Sequence, residues 1–435
     1  MSINTLNLKQ SNVKTGIINL PGSKSISNRV LLISALGHGE IKIKNLLFSD
    51  DTKVMLTSLK KLGVEIKHNE SLKECTIIGS NNSFPNKNCE LYVGNAGTAI
   101  RPLTASLAFN CGKYKINGTS RMHERPIGDL VASLNHIGAK IEYAQVNNYP
   151  PLIINSSEII YQKINIRGDV SSQFLTALLI ASPTLSKNNK LEIQVNGTLI
   201  SKPYVNITLQ LLKFFGLKVL EGKNNYFSIK ENQIYSNPKE IYIEGDASSA
   251  TYFLAAAALS GKLVRVNGVG NNSIQGDIKF IEILKKMGAE IKMGEDWIEA
   301  SANKQLTAID DDFNDIPDAA MTVAILALYA QGRTVIRNIG SWRVKETDRL
   351  SAMAVELKKL GAKVIEGEDF LQIESPLKIH DATIDTYDDH RMAMCFSLAS
   401  LNGNFKNGAN IVINDPNCVN KTFPNYFKIL NTIIE

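Results

Sequence analysis

Residues 21–29 read Pro-Gly-Ser-Lys-Ser-Ile-Ser-Asn-Arg and lead directly into the apolar run Val30–Leu36. The opening Pro-Gly turn, the hydroxyl side chains and the apolar run predict a loop that begins a buried helix. The N-terminus of a helix presents unpaired N–H groups and the positive end of its dipole, so it binds anions well. Lys24 and Arg29 add two positive charges here. An isolated stretch of this kind equally fits an ordinary Ser cap with solvated charges. Because similar polar helix starts recur along the chain, an anion site is favoured here.

A helix-end signature recurs along the chain at intervals of about 72 residues. It consists of Leu-x-x-apolar-Gly followed by a short alternation of polar and apolar residues. This pattern predicts a helix closed by glycine and then a half-buried strand. The helices are amphipathic and are expected on the outside of the fold. The five glycines are Gly63, Gly138, Gly216, Gly288 and Gly361.

A second series of helices lies between these and is apolar almost all round, so it is expected to be buried. Its centres fall near Leu31, Leu103, Leu175, Leu254, Ile325 and Phe396. Together the two series predict six units, each running strand–helix–strand–helix–strand–strand. The sixth unit has room for an outer helix at Asn425–Ile434 but not for the strand that follows. The first twenty residues, of which Val13–Leu20 are strand-like, are predicted to supply that strand from the other end of the chain, which would make the C-terminal lobe discontinuous.

The predicted buried helices begin with residues that carry charge or hydrogen-bonding groups. The start of the fourth helix, at Asp246, is typical of plain capping. Parallel buried helices with such starts can direct their N-termini to one place, which predicts an anion-binding site. The six starts are Lys24-Ser25 with Arg29, Asn95-Ala96-Gly97-Thr98 with Arg101, Ser171-Ser172-Gln173, Asp246-Ala247-Ser248-Ser249, Pro317-Asp318-Ala319-Ala320 and Asp388-Asp389-His390-Arg391.

The composition is that of a globular protein, with 44% hydrophobic and 21% charged residues among 435. This length is enough for two or three domains. The net charge of +6 is mild and fits either small anionic substrates or nucleic acid. The five cysteines are odd in number and lack metal-type spacing, which favours a reducing compartment. The chain begins without a signal-peptide pattern, and its apolar runs are far shorter than the roughly 18–20 residues of a membrane span.

Several segments together resemble the 3-phosphoshikimate 1-carboxyvinyltransferase (EPSP synthase) family of enolpyruvyl transferases. The resemblance implies an α/β fold, a two-lobed inside-out α/β barrel of six βαβαββ repeats, with the buried helices pointing their N-termini at the interlobe cleft. Each lobe holds three repeats, the first at 21–242 and the second, discontinuous, at 1–20 plus 243–435. The matching segments are Leu20–Arg29, Asn95–Leu103, Glu124–Ile127, Ser171–Leu175, Ser201–Tyr204, Ile316–Thr322, Trp342–Leu350, Asp389–Met394 and Lys421–Tyr426.

The same resemblance implies a reaction. Members of the family transfer the enolpyruvyl (carboxyvinyl) group of phosphoenolpyruvate to the 5-hydroxyl of shikimate 3-phosphate and release phosphate, a step of aromatic amino-acid (chorismate) biosynthesis. The reaction is an addition–elimination through a tetrahedral intermediate and uses no metal or organic cofactor. The expected partners are these small molecules, with no nucleic acid and no membrane. The protein is expected to be a cytoplasmic monomer and a target of the herbicide glyphosate.

The resemblance also implies which residues bind the two substrates. Arg suits bidentate capture of phosphate and carboxylate groups, and Lys suits compact charge contacts. A single such cation is usually a solvated surface charge, but neighbouring apolar runs argue against that for Arg101, Arg349 and Arg391. Shikimate 3-phosphate is expected to contact Lys24, Ser25, Arg29, Ser171, Ser172, Gln173, Ser201, Tyr204, Asp318, Ser341 and Lys345. Phosphoenolpyruvate is expected to contact Lys24, Gly97, Arg125, Gln173, Arg349, Arg391 and Lys421.

Three of the implied residues are assigned to catalysis. Asp318 is predicted to take the proton of the 5-hydroxyl and Glu346 to protonate the enol methylene, while Lys24 bridges both substrates. Neighbouring cations favour the ionised form of a carboxylate, which suits a base. Glu346 as an acid therefore requires burial or a proton relay. Ser341 stands where the family usually has Asn, and its shorter reach leaves its contact with the substrate phosphate open.

Two alternatives stay open on the sequence. The nearer is a UDP-N-acetylglucosamine carboxyvinyltransferase-type enzyme, which has the same fold and donor. Many of its members place a reactive Cys five residues before the Arg that matches Arg125, whereas this chain has Ser120 there, and its nearest thiol, Cys111, follows a predicted helix end. The Lys-Glu-Thr-Asp-Arg run at 345–349 also favours the shikimate acceptor. The remote alternative, a basic nucleic-acid-binding protein, would interleave cations with exposed aromatic residues, and the aromatic content is only 7%.

Overall fold

The computed structural model describes residues 4–155, 158–186 and 189–435. The chain forms two compact units, called here the continuous unit (Gly22–Ile243) and the discontinuous unit (Met1–Pro21 with Glu244–Glu435). Each unit contains three copies of a strand–helix–strand–helix–strand–strand repeat, as the sequence predicted, and the last copy is one strand short within the described residues. None of the described helices is long and apolar enough to cross a membrane.

The elements follow one another in a regular order along both units. The N-terminal segment contributes β1 (Thr5–Leu8) and β2 (Gly16–Asn19) to the discontinuous unit. The continuous unit then contains α1 (Lys24–Leu36), β3 (Glu40–Lys44), α2 (Asp50–Lys61), β4 (Glu65–Asn69), β5 (Glu74–Ile78), β6 (Asn88–Tyr92), α3 (Gly97–Leu107), β7 (Lys113–Asn117), α4 (Gly128–His136), β8 (Lys140–Tyr143), β9 (Leu152–Asn155), β10 (Lys163–Arg167), α5 (Ser172–Leu185), β11 (Leu191–Asn196), α6 (Lys202–Phe214), β12 (Val219–Gly222), β13 (Tyr226–Ile229) and β14 (Glu240–Tyr242). The discontinuous unit continues with α7 (Ala247–Ser260), β15 (Val264–Asn267), α8 (Phe280–Lys286), β16 (Glu290–Met293), β17 (Trp297–Ser301), β18 (Asp310–Asp312), α9 (Pro317–Leu326), β19 (Arg333–Arg337), α10 (Arg349–Lys359), β20 (Lys363–Glu366), β21 (Leu371–Glu374), β22 (Ala382–Ile384), α11 (His390–Ser397), β23 (Ile411–Asn414) and α12 (Tyr426–Leu430).

The described residues of the continuous unit form three four-stranded sheets of one topology, in the orders β14-β3-β5-β4, β6-β7-β9-β8 and β10-β11-β13-β12. In each sheet two parallel strands are followed by an antiparallel hairpin; for example, β6 pairs parallel with β7, and β7 pairs antiparallel with β9. The helix that links the two parallel strands is the buried one, here α3. The first sheet takes its leading strand, β14, from the far end of the unit. The last strand of the unit therefore completes its first sheet.

In the discontinuous unit, residues 4–21 and 244–435 form two four-stranded sheets, β16-β17-β15-β2 and β18-β19-β21-β20, and one three-stranded sheet, β1-β23-β22. The prediction that the first twenty residues supply a strand to the sixth repeat is confirmed, but the strand is β1 and not the strand-like part at Val13–Leu20. β1 pairs antiparallel with β23 in the sixth sheet, whereas β2, which lies within that segment, pairs parallel with β15 in the fourth. The main-chain groups of a strand can pair with any open sheet edge, and the alternating pattern is the same in either sheet.

Both predicted helix series are present. The inner series, α1, α3, α5, α7, α9 and α11, is almost wholly buried. The outer helices α2, α4, α6, α8 and α10 are each followed by one of the five predicted glycines, with φ between 83° and 112°. A side chain is strained at such angles, which explains the repeated glycine. The predicted outer helix at Asn425–Ile434 is shorter than expected, consisting of α12 and a 3₁₀ turn at Asn431–Ile433.

Candidate active site

Two of the predicted cations of the continuous unit, Lys24 and Arg29, lie near the start of α1. The Ser23 hydroxyl accepts a hydrogen bond from the backbone N–H of Ile26 at 3.5 Å, so this helix is capped as the sequence suggested. Lys24 follows at once, is buried, and places Nζ 3.6 Å from Oδ2 of Asp51, which is itself buried. Asp51 was not anticipated, because it begins a different helix of the repeat. The charge of Lys24 is therefore partly balanced within the unit.

Arg29 is a buried cation whose acceptors among the described residues are all neutral. Its Nε donates to Oγ1 of Thr208 at 2.8 Å, and its two terminal nitrogens donate to the backbone oxygens of Ser25 at 2.8 Å and Tyr204 at 3.1 Å. Burial lowers the pKa of Arg29 to about 10. A guanidinium held by neutral groups in a buried place keeps its charge for an anion. These bonds also join the predicted residues Ser25, Arg29 and Tyr204 in one cluster.

Three predicted serines surround the starts of α5 and α6 in the same unit. The Ser171 hydroxyl accepts from the backbone N–H of Gln173 at 3.2 Å and caps α5, and Ser172 after it is buried. Ser201 precedes α6 in a left-handed conformation, with φ of 52°. Its buried hydroxyl has no hydrogen-bond partner among the described residues. A buried hydroxyl without a partner, on a backbone in the left-handed region, makes Ser201 a candidate for binding a ligand.

Gly97 lies at the start of α3 against two guanidinium groups. A Cβ atom placed there would be 2.8 Å from Nη2 of Arg125 and 3.1 Å from Oε1 of Gln173, and would clash with Nη1 of Arg101. The φ of Gly97 is outside the left-handed region, so close approach and not backbone strain accounts for this glycine. Among the described residues no side chain caps the first turn of α3. The helix start and the two buried arginines together form a typical anion-binding arrangement.

The arginines around Gly97 are fixed by short hydrogen bonds. Nη1 of Arg101 donates to Oε1 of Gln173 at 2.8 Å, and its Nη2 donates to the backbone oxygen of Pro126 at 3.0 Å. Nη1 of Arg125 donates to the backbone and side-chain oxygens of Asn95 at 2.9 and 3.0 Å. The sequence placed Arg101 at one of the charged helix starts but assigned it to neither substrate. Its contact with Gln173 now places it beside the predicted phosphoenolpyruvate residues.

In the discontinuous unit, Arg349 lies at the centre of a group of carboxylates. Its Nη1 donates to Oδ1 of Asp318 at 2.8 Å, its Nη2 to Oε2 of Glu346 at 2.9 Å, and its Nε to Oδ2 of Asp389 at 2.7 Å. Arg349 is 1% exposed. Burial alone would lower the pKa of Arg349, but the three carboxylates outweigh it and the pKa is raised. The two predicted catalytic carboxylates thus share one cation.

Arg391 completes this cluster from the first turn of α11. Its Nη2 donates to Oδ2 of Asp318 at 2.9 Å, and its Nη1 donates to the buried phenol of Tyr252 at 3.1 Å. Asp318 is therefore held between two guanidinium groups while its side chain stays 16% exposed. Guanidinium partners stabilise the charged form of a carboxylate, which a proton acceptor needs.

The remaining predicted residues lie on short 3₁₀ turns of the discontinuous unit. Ser341 is half-buried in the turn Gly340–Val344, and Lys345 directly follows it. The turn is tied to the start of α9 because Nε1 of Trp342 donates to the backbone oxygen of Pro317 at 2.7 Å. Among the described residues the Ser341 side chain makes no hydrogen bond. It therefore lies close to Glu346 and Arg349 in sequence but is not hydrogen-bonded to either of them.

Lys421 ends the turn Pro416–Lys421 and is buried. Burial raises the pKa of the Asp388 carboxyl, and Lys421 opposes this rise, so the two side chains interact. Sequence reasoning did not assign a role to Asp389 or Tyr252, which bind Arg349 and Arg391. The Asp-Asp-His-Arg start of α11 was the available signal for Asp389, whereas no local signal marked Tyr252.

The fold and the clusters around Arg29, Gly97 and Arg349 define a class of protein: a six-repeat α/β protein whose buried cations are suited to small anions and, at Arg349, pair with two carboxylates, the half-buried Asp318 and the buried Glu346. The chain belongs to the EPSP synthase (3-phosphoshikimate 1-carboxyvinyltransferase) family, whose profile matches residues 8–430. This confirms the resemblance seen in the sequence.

Individual relatives match this chain over nearly their whole length. The 3-phosphoshikimate 1-carboxyvinyltransferase of Herminiimonas arsenicoxydans is 56% identical over 430 residues, covering 99% of this chain and 97% of that protein. The enzyme of the same name from Sulfurovum sp. (strain NBC37-1) is 51% identical over 432 residues, covering 99% of each. An EPSP synthase structure from Acinetobacter baumannii has a TM-score of 0.80 and 25% identity, and covers 100% of this chain and 99% of that one. The predicted α/β fold is thereby confirmed.

Proposed function

We propose that the chain catalyses the reaction after which its family is named, the transfer of the enolpyruvyl group of phosphoenolpyruvate to the 5-hydroxyl of shikimate 3-phosphate. The observation that carries this is the 56% identity over 430 residues to a 3-phosphoshikimate 1-carboxyvinyltransferase. The shikimate name of the relatives favours this acceptor over UDP-N-acetylglucosamine. The reaction serves aromatic amino-acid biosynthesis.

The cluster around Arg29 is assigned to the phosphate of shikimate 3-phosphate. Arg29 carries a buried charge with neutral acceptors only, and the free hydroxyl of Ser201 can donate to a phosphate oxygen. Tyr204 lies beside Arg29 through its backbone oxygen and offers a ring surface. The other residues assigned to this substrate are Lys24, Ser25, Ser171, Ser172, Gln173, Asp318, Ser341 and Lys345.

The cluster around Gly97 is assigned to phosphoenolpyruvate. The close approach of Arg125 and Gln173 to Gly97 supports this, because both side chains and the start of α3 can then contact the same anion. Lys24 is assigned to both substrates. The residues assigned to phosphoenolpyruvate from the discontinuous unit are Arg349, Arg391 and Lys421.

The chemistry requires one proton acceptor and one proton donor. In the addition step the 5-hydroxyl oxygen bonds to C2 of phosphoenolpyruvate as its proton passes to Asp318, and C3 receives a proton from Glu346. In the elimination step Glu346 takes a proton back from C3, the C2–C3 double bond re-forms as the bond between C2 and the phosphate oxygen breaks, and the leaving phosphate takes up the proton that Asp318 accepted. The two guanidinium partners of Asp318 favour its ionised form, whereas the burial of Glu346 favours a protonated form and its hydrogen bond from Arg349 opposes this. An acid role for Glu346 requires burial or a proton relay, and the side chain meets the first of these alternatives.

Phosphate release tests the proposed reaction directly. The purified chain is incubated with phosphoenolpyruvate and one acceptor at a time, either shikimate 3-phosphate or UDP-N-acetylglucosamine, and free phosphate is measured. We expect release with shikimate 3-phosphate only, and none without an acceptor. Release with UDP-N-acetylglucosamine in place of shikimate 3-phosphate would contradict the proposal.

The same proposal covers the organisation and location of the protein. The two compact units are assigned as the two lobes, each with three repeats. The five cysteines are free, which fits a reducing compartment such as the cytoplasm. A monomer that needs no cofactor stays a prediction, and native mass measurement together with activity after exhaustive chelation tests it.

A further inference from the structure

Two consecutive residues just before α11 have left-handed backbone conformations. Tyr387 and Asp388 both have φ of 55°. This region is sterically unfavourable for a bulky side chain such as tyrosine, and such strain persists only where surrounding contacts hold it. The strained pair directly precedes Asp389, whose carboxylate binds Arg349. The contacts that hold this turn therefore affect the position of Asp389 and its bond to Arg349.

The contacts are made by Glu356 on α10, a fully buried carboxylate. Its Oε1 accepts from the phenol of Tyr387 at 2.7 Å, and its Oε2 accepts from the backbone N–H of Asp385 at 3.2 Å and lies 2.7 Å from Nζ of Lys359. A buried carboxylate is destabilising unless it is fully paired, and this one has three donors. Burial, and then Glu356 itself, raises the pKa of the Tyr387 phenol, so it stays protonated and donates at neutral pH.

A single helix holds both ends of the strained turn. Arg349 and Glu356 are seven residues apart on α10 and therefore lie on one helix face. Arg349 binds the carboxylate of Asp389 after the turn, and Glu356 binds the phenol of Tyr387 within it. Oδ1 of Asp389 also accepts from the backbone N–H of Arg391 at 2.9 Å. The start of α11, with Arg391, is thus fixed by the same turn.

We propose that Glu356 and Tyr387 are positioning residues for phosphoenolpyruvate binding. Their hydrogen bond holds the strained turn so that the guanidinium of Arg391 stays directed at Asp318 and at the substrate. Neither residue contacts substrate in this proposal. It rests on the proposed role of Arg391 in binding phosphoenolpyruvate, and the experiments below separate the two claims.

The substitution Tyr387→Phe removes the hydrogen bond and keeps the ring. We expect the KM for phosphoenolpyruvate to rise about 5- to 30-fold, less than the about 100-fold that a misplacement of about 1 Å can cost. Binding of shikimate 3-phosphate alone, measured by calorimetry, should change by less than about twofold, since eight of the eleven residues assigned to it lie on the continuous unit. Tyr329→Phe is the matched control. It removes a buried phenol that donates to the backbone oxygens of Leu398 and Leu401 beyond the other end of α11, and it should leave this KM unchanged.

Two further variants decide between the possible results. Glu356→Gln keeps an oxygen that accepts from the phenol, so its KM should stay closer to the parent value than that of Tyr387→Phe. Arg391→Gln should raise the KM for phosphoenolpyruvate. If it does and Tyr387→Phe leaves the KM unchanged, even with a lower melting temperature, the positioning proposal is overturned and the role of Arg391 stands. If neither variant changes the KM, both claims are overturned.

Discussion

Gly97 is the position where one added methyl group most directly disturbs the residues assigned to phosphoenolpyruvate. In Gly97→Ala the new Cβ lies 2.8 Å from Nη2 of Arg125, whereas ordinary van der Waals contact begins at 3.4 Å. The guanidinium therefore has to move by about 0.6 Å, the difference between these distances. Since a misplacement of about 1 Å can cost 10²-fold, we expect the KM for phosphoenolpyruvate to rise about tenfold.

Glyphosate provides a second, more sensitive measurement. Family resemblance puts this inhibitor in the phosphoenolpyruvate pocket, and glyphosate is the longer molecule. A methyl group at position 97 should therefore exclude it by a clash more strongly than it excludes the substrate. We expect the parent to be glyphosate-sensitive and the inhibition constant of Gly97→Ala to rise by a larger factor than the KM. Steady-state kinetics with phosphoenolpyruvate varied at several inhibitor concentrations measures both factors.

The control separates the pocket from a general effect of replacing glycine. Gly222 has φ of −105°, and a Cβ there meets atoms of Tyr226 only among its nearest neighbours, so Gly222→Ala should leave both constants unchanged. The melting temperature of Gly97→Ala should stay near that of the parent, because the φ of Gly97 lies outside the left-handed region. Unfolding of this variant would refute the reasoning, because the added methyl group would then disrupt the packing of the fold and not only the pocket. Equal inhibition of variant and parent would show that Gly97 does not line the pocket.

Two further substitutions test the assigned base and the assigned phosphate-binding cation. Asp318→Asn removes the proton acceptor, so kcat should fall by about 10²–10⁴ while calorimetry shows a much smaller change in shikimate 3-phosphate affinity; near-normal kcat would move the role to Glu346 or Lys24. Arg29→Met removes a buried charge that has only neutral acceptors, so calorimetry should show shikimate 3-phosphate affinity lower by about 10- to 100-fold. The melting temperature of this variant should not fall, because burial of the Arg29 charge, which lowers its pKa, is itself unfavourable to folding. Unchanged affinity for shikimate 3-phosphate would remove Arg29 from the site.

The local elements of this protein were predictable because their causes lie within a few residues. A glycine such as Gly63 is needed wherever the chain leaves an outer helix with positive φ, and that requirement is visible in five places. The hydroxyl of Ser171 and the carboxylate of Asp246 cap their own helices, as their positions indicated. Recurrence of these local signals at about 72 residues gave the number of repeats and most of their order.

Pairing between distant segments was only partly predictable. The segment Val13–Leu20 was correctly interpreted as strand-like, but β2 lies in the fourth sheet and β1 completes the sixth. An alternating strand fits any open edge with a matching buried face, so its pattern specifies a strand and not a partner.

The sequence by itself determined which residues carry charge at the starts of the buried helices, and only the tertiary structure decided what each charge meets. Arg29 binds Thr208, Arg349 binds Asp389, and the phenol of Tyr387 binds Glu356, all across long stretches of chain. Both arginines are buried, but Arg29 has neutral acceptors and Arg349 has three carboxylates. The pKa of Arg29 is therefore lowered, and the pKa of Arg349 is raised. The type of a side chain is fixed by the sequence, whereas its solvation and its partners exist only once the repeats have packed together.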